Sequence, residues 1–363
     1  MTREELQNKA SDSLFDRKRM LCQWATGTGK SGVALQFIKQ NPKMNCLILV
    51  PEQNNIENWE KEFDKFEVDR SHTTIVCYAS FHKHANTYWD FLVFDEAPHT
   101  NTEKKAEICR SVSAKYILAL GAVMSQEEID NLEDVYGPFY RSTITLSKAI
   151  SLGILPHPVI KVLTLSIDDK RREYTHKGKK LTAAEMYESI TKKVDAAYAA
   201  YNAKPNEFNK RLMFRAGLDR KRFLAKLKED AVKRICQSLE QNGRRFLCFC
   251  ASIKQAEHLG KYRAFTSKTP VHFQLLNRFN NHEINSLYVV GKLIEGQNLK
   301  DIECGVIAQL DGSSRITVQK VGRIIRSQNP VIYIPIIKGT KDEGFLKNIT
   351  FNIPKEYIQY KNL

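Results

Sequence analysis

Met20-Leu21-Cys22-Gln23-Trp24-Ala25-Thr26-Gly27-Thr28-Gly29-Lys30-Ser31-Gly32-Val33-Ala34-Leu35-Gln36-Phe37-Ile38 is the stretch that decides the fold. The apolar segment Met20-Leu21-Cys22 runs into a small, glycine-punctuated turn, and a helical pattern follows from Gly32 to Ile38. Strand, glycine turn and helix in that order open an α/β unit that cradles phosphate. Small residues at Ala25, Thr26, Gly27, Thr28 and Gly29 let backbone N–H groups curl around an anion, and the helix N-terminus adds positive potential. Lys30 can then reach β- and γ-phosphates, and the Ser31 hydroxyl can ligate Mg²⁺. Ala25 stands where the usual G-x-x-x-x-G-K-[ST] pattern carries its first glycine.

Outward from this turn, short apolar runs alternate with helical patterns. CLILV (46–50), TIVCY (74–78), FLVF (91–94) and YILAL (116–120) lie in the first part of the chain. RFLCFC (245–250), SLYVV (286–290), CGVIAQL (304–310) and VIYIPII (331–337) lie in the last part. Continuous apolar runs of this length fit strands buried on both faces of a parallel sheet. Alternation on both sides predicts two α/β domains, each a doubly wound sheet. The expected boundaries are 1–165 for the first domain, 166–237 for a connector and 238–363 for the second.

The connector differs in composition. From Asp168 to Ile235 there are 19 Lys/Arg against 10 Asp/Glu, a local net of +9 out of +15 for the whole chain. Tyr174, Tyr187, Tyr198, Tyr201, Phe208, Phe214 and Phe223 are interleaved with these charges. The stretch reads as helix, with breaks near Gly178, Pro205 and Gly217. Basic residues among aromatics can hold a nucleic-acid strand by phosphate contact and base stacking. The same composition also fits a helical linker whose aromatics pack inward and whose charges are solvated.

Composition sets limits elsewhere. A chain of 363 residues with 42% hydrophobic and 27% charged residues is globular, with room for two domains. No run of 18 apolar residues and no secretory leader is visible, so a cytoplasmic protein that neither spans nor is anchored in a membrane is expected. The eight cysteines form no C-x-x-C pair, so reduced thiols are expected rather than zinc or disulfides. The surplus of +15 points to a polyanionic partner.

Two further motifs carry chemistry. Phe91-Leu92-Val93-Phe94-Asp95-Glu96-Ala97 is an apolar strand ending in two carboxylates. Downstream of a phosphate loop, Asp95 can hold the shell of a Mg²⁺ ion and Glu96 can polarise an attacking water. Gln319-Lys320-Val321-Gly322-Arg323-Ile324-Ile325-Arg326 places two arginines three apart, on one face of a helix. Two guanidinium groups there could stabilise charge on a transferring γ-phosphate.

In this order the three motifs resemble those of the superfamily 2 helicases and translocases. The weaker motifs lean towards the type III restriction-motor, Swi/Snf-like and phage recombination-helicase branches. Leu49-Val50-Pro51 with Asn58-Trp59-Glu60, Cys77-Tyr78-Ala79-Ser80-Phe81, SKAISLGILPHP (147–158) and Glu295-Gly296-Gln297-Asn298-Leu299 each look like a family segment. Only the basic connector falls outside the resemblance. Two departures stand out: Pro98 displaces the histidine of the D-E motif to His99, and Gly121-Ala122-Val123 lacks both hydroxyls of the usual [ST]-A-T segment.

The resemblance implies two tandem RecA-like domains with ATP and Mg²⁺ in the cleft between them. It implies catalytic roles for Glu96, Gln319, Arg323 and Arg326. Nucleotide contacts would come from Gln7, residues Thr26 to Ser31 and Asn298, and metal contacts from Ser31 and Asp95. Nucleic acid would lie near Pro51, Ser80, Ser252, Gly291 and Lys292. The implied activity is that of an ATP-dependent DNA helicase or double-strand translocase acting in DNA replication, recombination or repair. The strand substrate would be single-stranded, forked or duplex DNA, with a protein partner as one source of strand separation. An RNA helicase acting on RNA, a nucleic-acid-binding module with a degenerate motor and a P-loop ATPase acting on protein are the alternatives. Economy of length suggests a phage or mobile-element origin, and so a host cytoplasm.

Overall fold

The structure, a computed structural model, describes residues 2–100, 103–176, 178–267, 269, 272–290, 299–310, 321–322, 324, 327–350 and 353–362. It divides into two compact units. The first is Met1–Pro156, and the second is built from His157–Ile294 and Leu299–Leu363.

The first unit carries six strands: β1 (Arg19–Trp24), β2 (Cys46–Val50), β3 (Thr73–Cys77), β4 (Tyr88–Phe94), β5 (Ser113–Gly121) and β6 (Tyr140–Ile144). Its helices are α1 (Arg3–Arg17), α2 (Ser31–Gln40), α3 (Gln53–Phe66), α4 (Glu103–Ser111), α5 (Gln126–Tyr136) and α6 (Leu146–Ser151). The strands form one sheet in the order β3-β2-β4-β5-β1-β6, and every recorded pairing is parallel. Alternate residues of a strand serve opposite faces. Leu92 and Phe94 pack with Cys109, Ile129, Leu132 and Tyr136 on one side. Phe91 meets Phe37 of α2 on the other, with ring centroids 4.7 Å apart. Helices therefore cover both faces, which is why these strands read as unbroken apolar runs rather than as alternating ones.

The second unit begins earlier than the connector boundary expected at 165/166. Strand β7 (Val159–Leu165) pairs with strands that come much later in the chain. After it come a short antiparallel hairpin, β8 (Tyr174–His176) with β9 (Lys179–Leu181), and three helices, α7 (Ala183–Ala203), α8 (Glu207–Leu227) and α9 (Glu229–Gln241). Then follow β10 (Phe246–Cys250), α10 (Ile253–Gly260), β11 (Ala264–Phe265), α11 (His272–Asn280), β12 (Ser286–Val290), β13 (Cys304–Ile307), β14 (Val331–Ile337), α12 (Lys341–Thr350) and β15 (Ile358–Asn362). The large sheet runs β11-β12-β10-β13-β14-β7-β15, again parallel at every recorded pairing.

The basic stretch is largely helical, with two corrections. Residues 174–176 and 179–181 pair as the β-hairpin, with Gly178 (φ +76°) between them at a value that favours glycine. Gly217 interrupts nothing: α8 runs through it, and a β-carbon there would meet nothing within 4 Å. Pro205 does sit in the break between α7 and α8. Helix α9 is core rather than connector, because Val232, Ile235, Cys236 and Leu239 pack with Phe246, Cys248 and Tyr288.

Where α8 meets α9, the Lys228 ammonium is fully buried and lies 2.7 Å from an Asp342 carboxylate that is equally buried. Gln309 Nε2 donates to the other oxygen of Asp342 at 2.8 Å. All eight cysteines are free thiols, seven of them buried. Among the described residues, no helix is long and apolar enough to cross a membrane.

Candidate nucleotide site

The turn after β1 is held open by its own hydrogen bonds. The Ala25 amide donates to the Ile144 carbonyl at 2.8 Å, and both the amide and the hydroxyl of Thr28 donate to the Ala25 carbonyl, at 3.3 and 2.7 Å. Gly27 (φ +88°) and Gly29 (φ +84°) take the left-handed conformation that such a curl needs. Among the described residues, the amides of Thr26, Gly27, Gly29, Lys30 and Ser31 are given to no protein acceptor. Helix α2 begins at Ser31 without a side-chain cap and without an acidic residue in its first turn. By contrast, α1 and α5 each start with a complete capping box. Uncapped amides at a helix N-terminus, exposed to solvent along a turn, are complementary to an anion.

Gln7 is brought to this turn by α1. It is 3% exposed, and its Nε2 donates to the Gly29 carbonyl at 2.7 Å. The fit is close. A β-carbon on Gly29 would lie 2.6 Å from that nitrogen, and one on Gly32 only 2.2 Å from it. Glycine at 29 is thus required by the left-handed turn, and the packing of the Gln7 side chain disfavours a β-carbon at either 29 or 32. Thr2 and Glu5 cap α1, and the Arg3 guanidinium donates to the Ile154 carbonyl, so the helix carrying Gln7 is anchored.

Asp95 and Glu96 follow β4, at the same C-terminal edge of the sheet to which β1 delivers the glycine turn. That edge is where open α/β sheets bind ligands. Asp95 Oδ2 accepts from Trp59 Nε1 at 2.8 Å, and its carbonyl accepts from the Tyr78 hydroxyl at 2.9 Å. Burial and the Glu96 charge push the Asp95 carboxyl up to about 6, opposed by the Trp59 hydrogen bond and by attraction to Lys30. Glu96 takes φ +49°, unusual for a residue with a side chain. Such conformations cost on the order of 1–3 kcal/mol and collect at functional sites.

Sequence reading gave Trp59 and Tyr78 only as letters of family segments, not as the groups that fix Asp95. A buried indole and a buried phenol both need hydrogen-bond partners, and that need was the available signal. The His99 side chain lies outside the described residues. Gly121 ends β5, with Ala122 buried behind it.

The other expected residues are scattered. Pro51 precedes α3, and half-exposed Ser80 lies in the 3₁₀ segment Tyr78–His84. Ser252 caps α10, its hydroxyl accepting from the Gln255 amide at 3.2 Å, so that oxygen already has a structural duty. Gly291, Lys292, Asn298, Gln319, Arg323 and Arg326 lie outside the described residues, and their expected roles rest on sequence alone.

Residues 1–126 match the family model "Type III restriction enzyme, res subunit". Over 377 aligned residues, the chain is 22% identical to the DNA 3'-5' translocase XPB2 of Sulfurisphaera tokodaii, covering 93% of this chain and 82% of that protein. These matches support a resemblance to the superfamily 2 proteins. Its two units have the RecA-like fold: the crystal structure of the Pyrococcus furiosus Hef helicase domain superposes with a TM-score of 0.56 at 13% identity. That match covers 94% of this chain and 96% of the other. Such an identity speaks for the fold alone. The structural match extends through both units.

Proposed function

We propose that this chain is an ATP-dependent DNA motor of superfamily 2, a helicase or double-strand translocase that hydrolyses ATP as it moves along or remodels DNA. The observation that carries the reading is the set of free amides of Thr26, Gly27, Gly29, Lys30 and Ser31 ahead of an uncapped α2, beside the carboxylates that end β4. That set suits a triphosphate, and the oxygen donors Ser31 and Asp95 suit Mg²⁺. Bound Mg²⁺ would draw charge from the phosphate oxygens. Lys30 would pair with the β- and γ-phosphates, and Glu96 would orient and polarise a water. Gln7, latched to the Gly29 carbonyl, would report on the nucleotide base through the same turn. The net charge of +15 supports a nucleic-acid partner, and the DNA translocase among the relatives favours DNA over RNA.

The test is ATP hydrolysis by the full chain with single-stranded DNA, duplex DNA, forks, junctions and RNA of equal length. DNA is expected to stimulate turnover, and Glu96→Gln to lower it by on the order of a hundredfold or more. Stimulation by RNA alone would make the chain an RNA helicase. Absence of hydrolysis in the wild type would make it a binding module.

A further inference from the structure

Helices α7 and α8 are 21 residues each, about 30 Å long, and pack against one another as a hairpin. Only their roots are buried. Ala183, Ile190 and Val194 are the buried residues of α7, and Phe223, Leu224 and Ala225 those of α8. From Asp195 to Arg222 no residue is buried, so the distal part of the hairpin is an arm with solvent around it.

The aromatics of this stretch divide accordingly. At the root, Tyr174 packs on Phe223 with ring centroids 5.3 Å apart, and the Tyr187 hydroxyl accepts from the Lys341 amide at 2.8 Å. On the arm, Tyr198 is 50%, Phe208 70% and Phe214 63% exposed. Three large aromatic side chains left in water on one small element are unusual for a surface with no partner. Phe208, Arg211 and Arg215 follow one another at spacings of three and four, so they share a helix face, and Phe214 stands three residues from Arg211. Between Asp195 and Arg222 there are seven Lys/Arg against three Asp/Glu, a net of +4. Protein interfaces also favour aromatics and Arg but deplete charge at their core, whereas this stretch carries a net +4 that favours a polyanion. Rings alternating with guanidinium groups instead match a strand of bases on a phosphate backbone.

We infer that the α7–α8 arm binds unpaired DNA, with Phe208, Phe214 and Tyr198 stacking on bases and Arg211 and Arg215 holding phosphates. The inference rests on the DNA-motor reading and gives that motor its grip on a separated strand. Stacking is tolerant of sequence, because every base has a π-face. A duplex offers phosphates to the arm but no free base faces, so the aromatic rings make the arm selective for single strands and fork arms.

The full chain with Phe208→Trp tests this directly. Native Trp24 and Trp59 are 1% and 3% exposed and Trp89 is half-buried, so an indole at 208 supplies the exposed signal. Its fluorescence is expected to be quenched by a single-stranded oligonucleotide and not by a blunt duplex. Phe208→Ala with Phe214→Ala is expected to weaken single-strand binding about tenfold or more, to leave duplex affinity within about threefold, and to leave the melting temperature unchanged. No quenching, or equal affinities for both DNA forms in the double variant and the wild type, would overturn the inference, including the case in which these rings serve a protein partner. The motor reading is tested separately by DNA-stimulated hydrolysis in the wild type. Quenching without stimulated hydrolysis keeps the arm and removes the motor, and stimulated hydrolysis without quenching does the reverse.

Discussion

Trp59 and Asp95 are joined by a 2.8 Å hydrogen bond from the indole nitrogen to Oδ2, so a residue of α3 holds the carboxylate that ends β4. This bond opposes the burial and the Glu96 charge that lift the carboxyl to about 6. Trp59→Phe keeps most of the buried ring and removes the donor. Asp95 should then take up its proton at higher pH, and the acid limb of the ATPase profile should move up by about one pH unit. A pH–rate series at saturating Mg²⁺ and ATP measures it. An unmoved limb would mean that another group sets it.

Asp95 also carries a stability cost. Its carboxyl is raised from 3.8 to about 6 in the fold, so its contribution is favourable below about 3.8 and is lost as the pH rises through 6. At pH 7 the chain folds with a carboxylate in a partly desolvated site beside a second one. Asp95→Asn should therefore raise stability at pH 7 by on the order of 1–2 kcal/mol, with little gain at pH 4, while hydrolysis is lost. Denaturant unfolding at the two pH values checks both signs.

Gln7 and Gly32 form a steric lock. A β-carbon at Gly32 would stand 2.2 Å from Gln7 Nε2, so Gly32→Ala must expel a buried amide from its bond to Gly29. The expected cost is about 1–3 kcal/mol, despite the better helix propensity of alanine. Gln7→Ala in the same chain should recover at least about 1 kcal/mol of it, which a double-mutant cycle by thermal or denaturant unfolding reads directly.

Lys228 and Asp342 are both fully buried, and burial pulls the ammonium below its ordinary range while Asp342 pulls it back. Lys228→Met leaves a buried carboxylate without its countercharge and should cost about 3–5 kcal/mol. Adding Asp342→Asn removes that charge yet keeps an acceptor for Gln309, so the double variant should be more stable than the single one. If the two are equal, the pair contributes packing rather than charge compensation.

How much of this was written in the residues depends on local patterning. The core strands were legible because both faces of each are covered and hydrophobicity runs unbroken, as in Cys46–Val50, which is buried at every position. Strands β6 and β7 were not, since Tyr140, Arg141 and Lys161 interrupt any apolar run and long-range pairing decides them. The Asp168–Ile235 composition announced helix and charge but could not separate Tyr174 and Phe223, which pack, from Phe208 and Phe214, which do not. That division depends on which turns of α7 and α8 lie near the second sheet. The glycine turn and the carboxylates were named outright, whereas the Trp59 bond and the Lys228–Asp342 pair join residues distant in sequence and have no local signature.

Strand β7 lies between β14 and β15 in the second sheet, although paired positions are 172 residues apart for β14 (Val159 with Val331) and 198 apart for β15 (Ile160 with Ile358). During synthesis it leaves the ribosome apolar and with both edges unpaired, long before the strands that cover them exist. The first unit can complete its sheet while β7 waits. The second is thus exposed to misassembly for most of the time the chain takes to be made, and it is the half of the molecule for which chaperone supply and translation rate should govern yield.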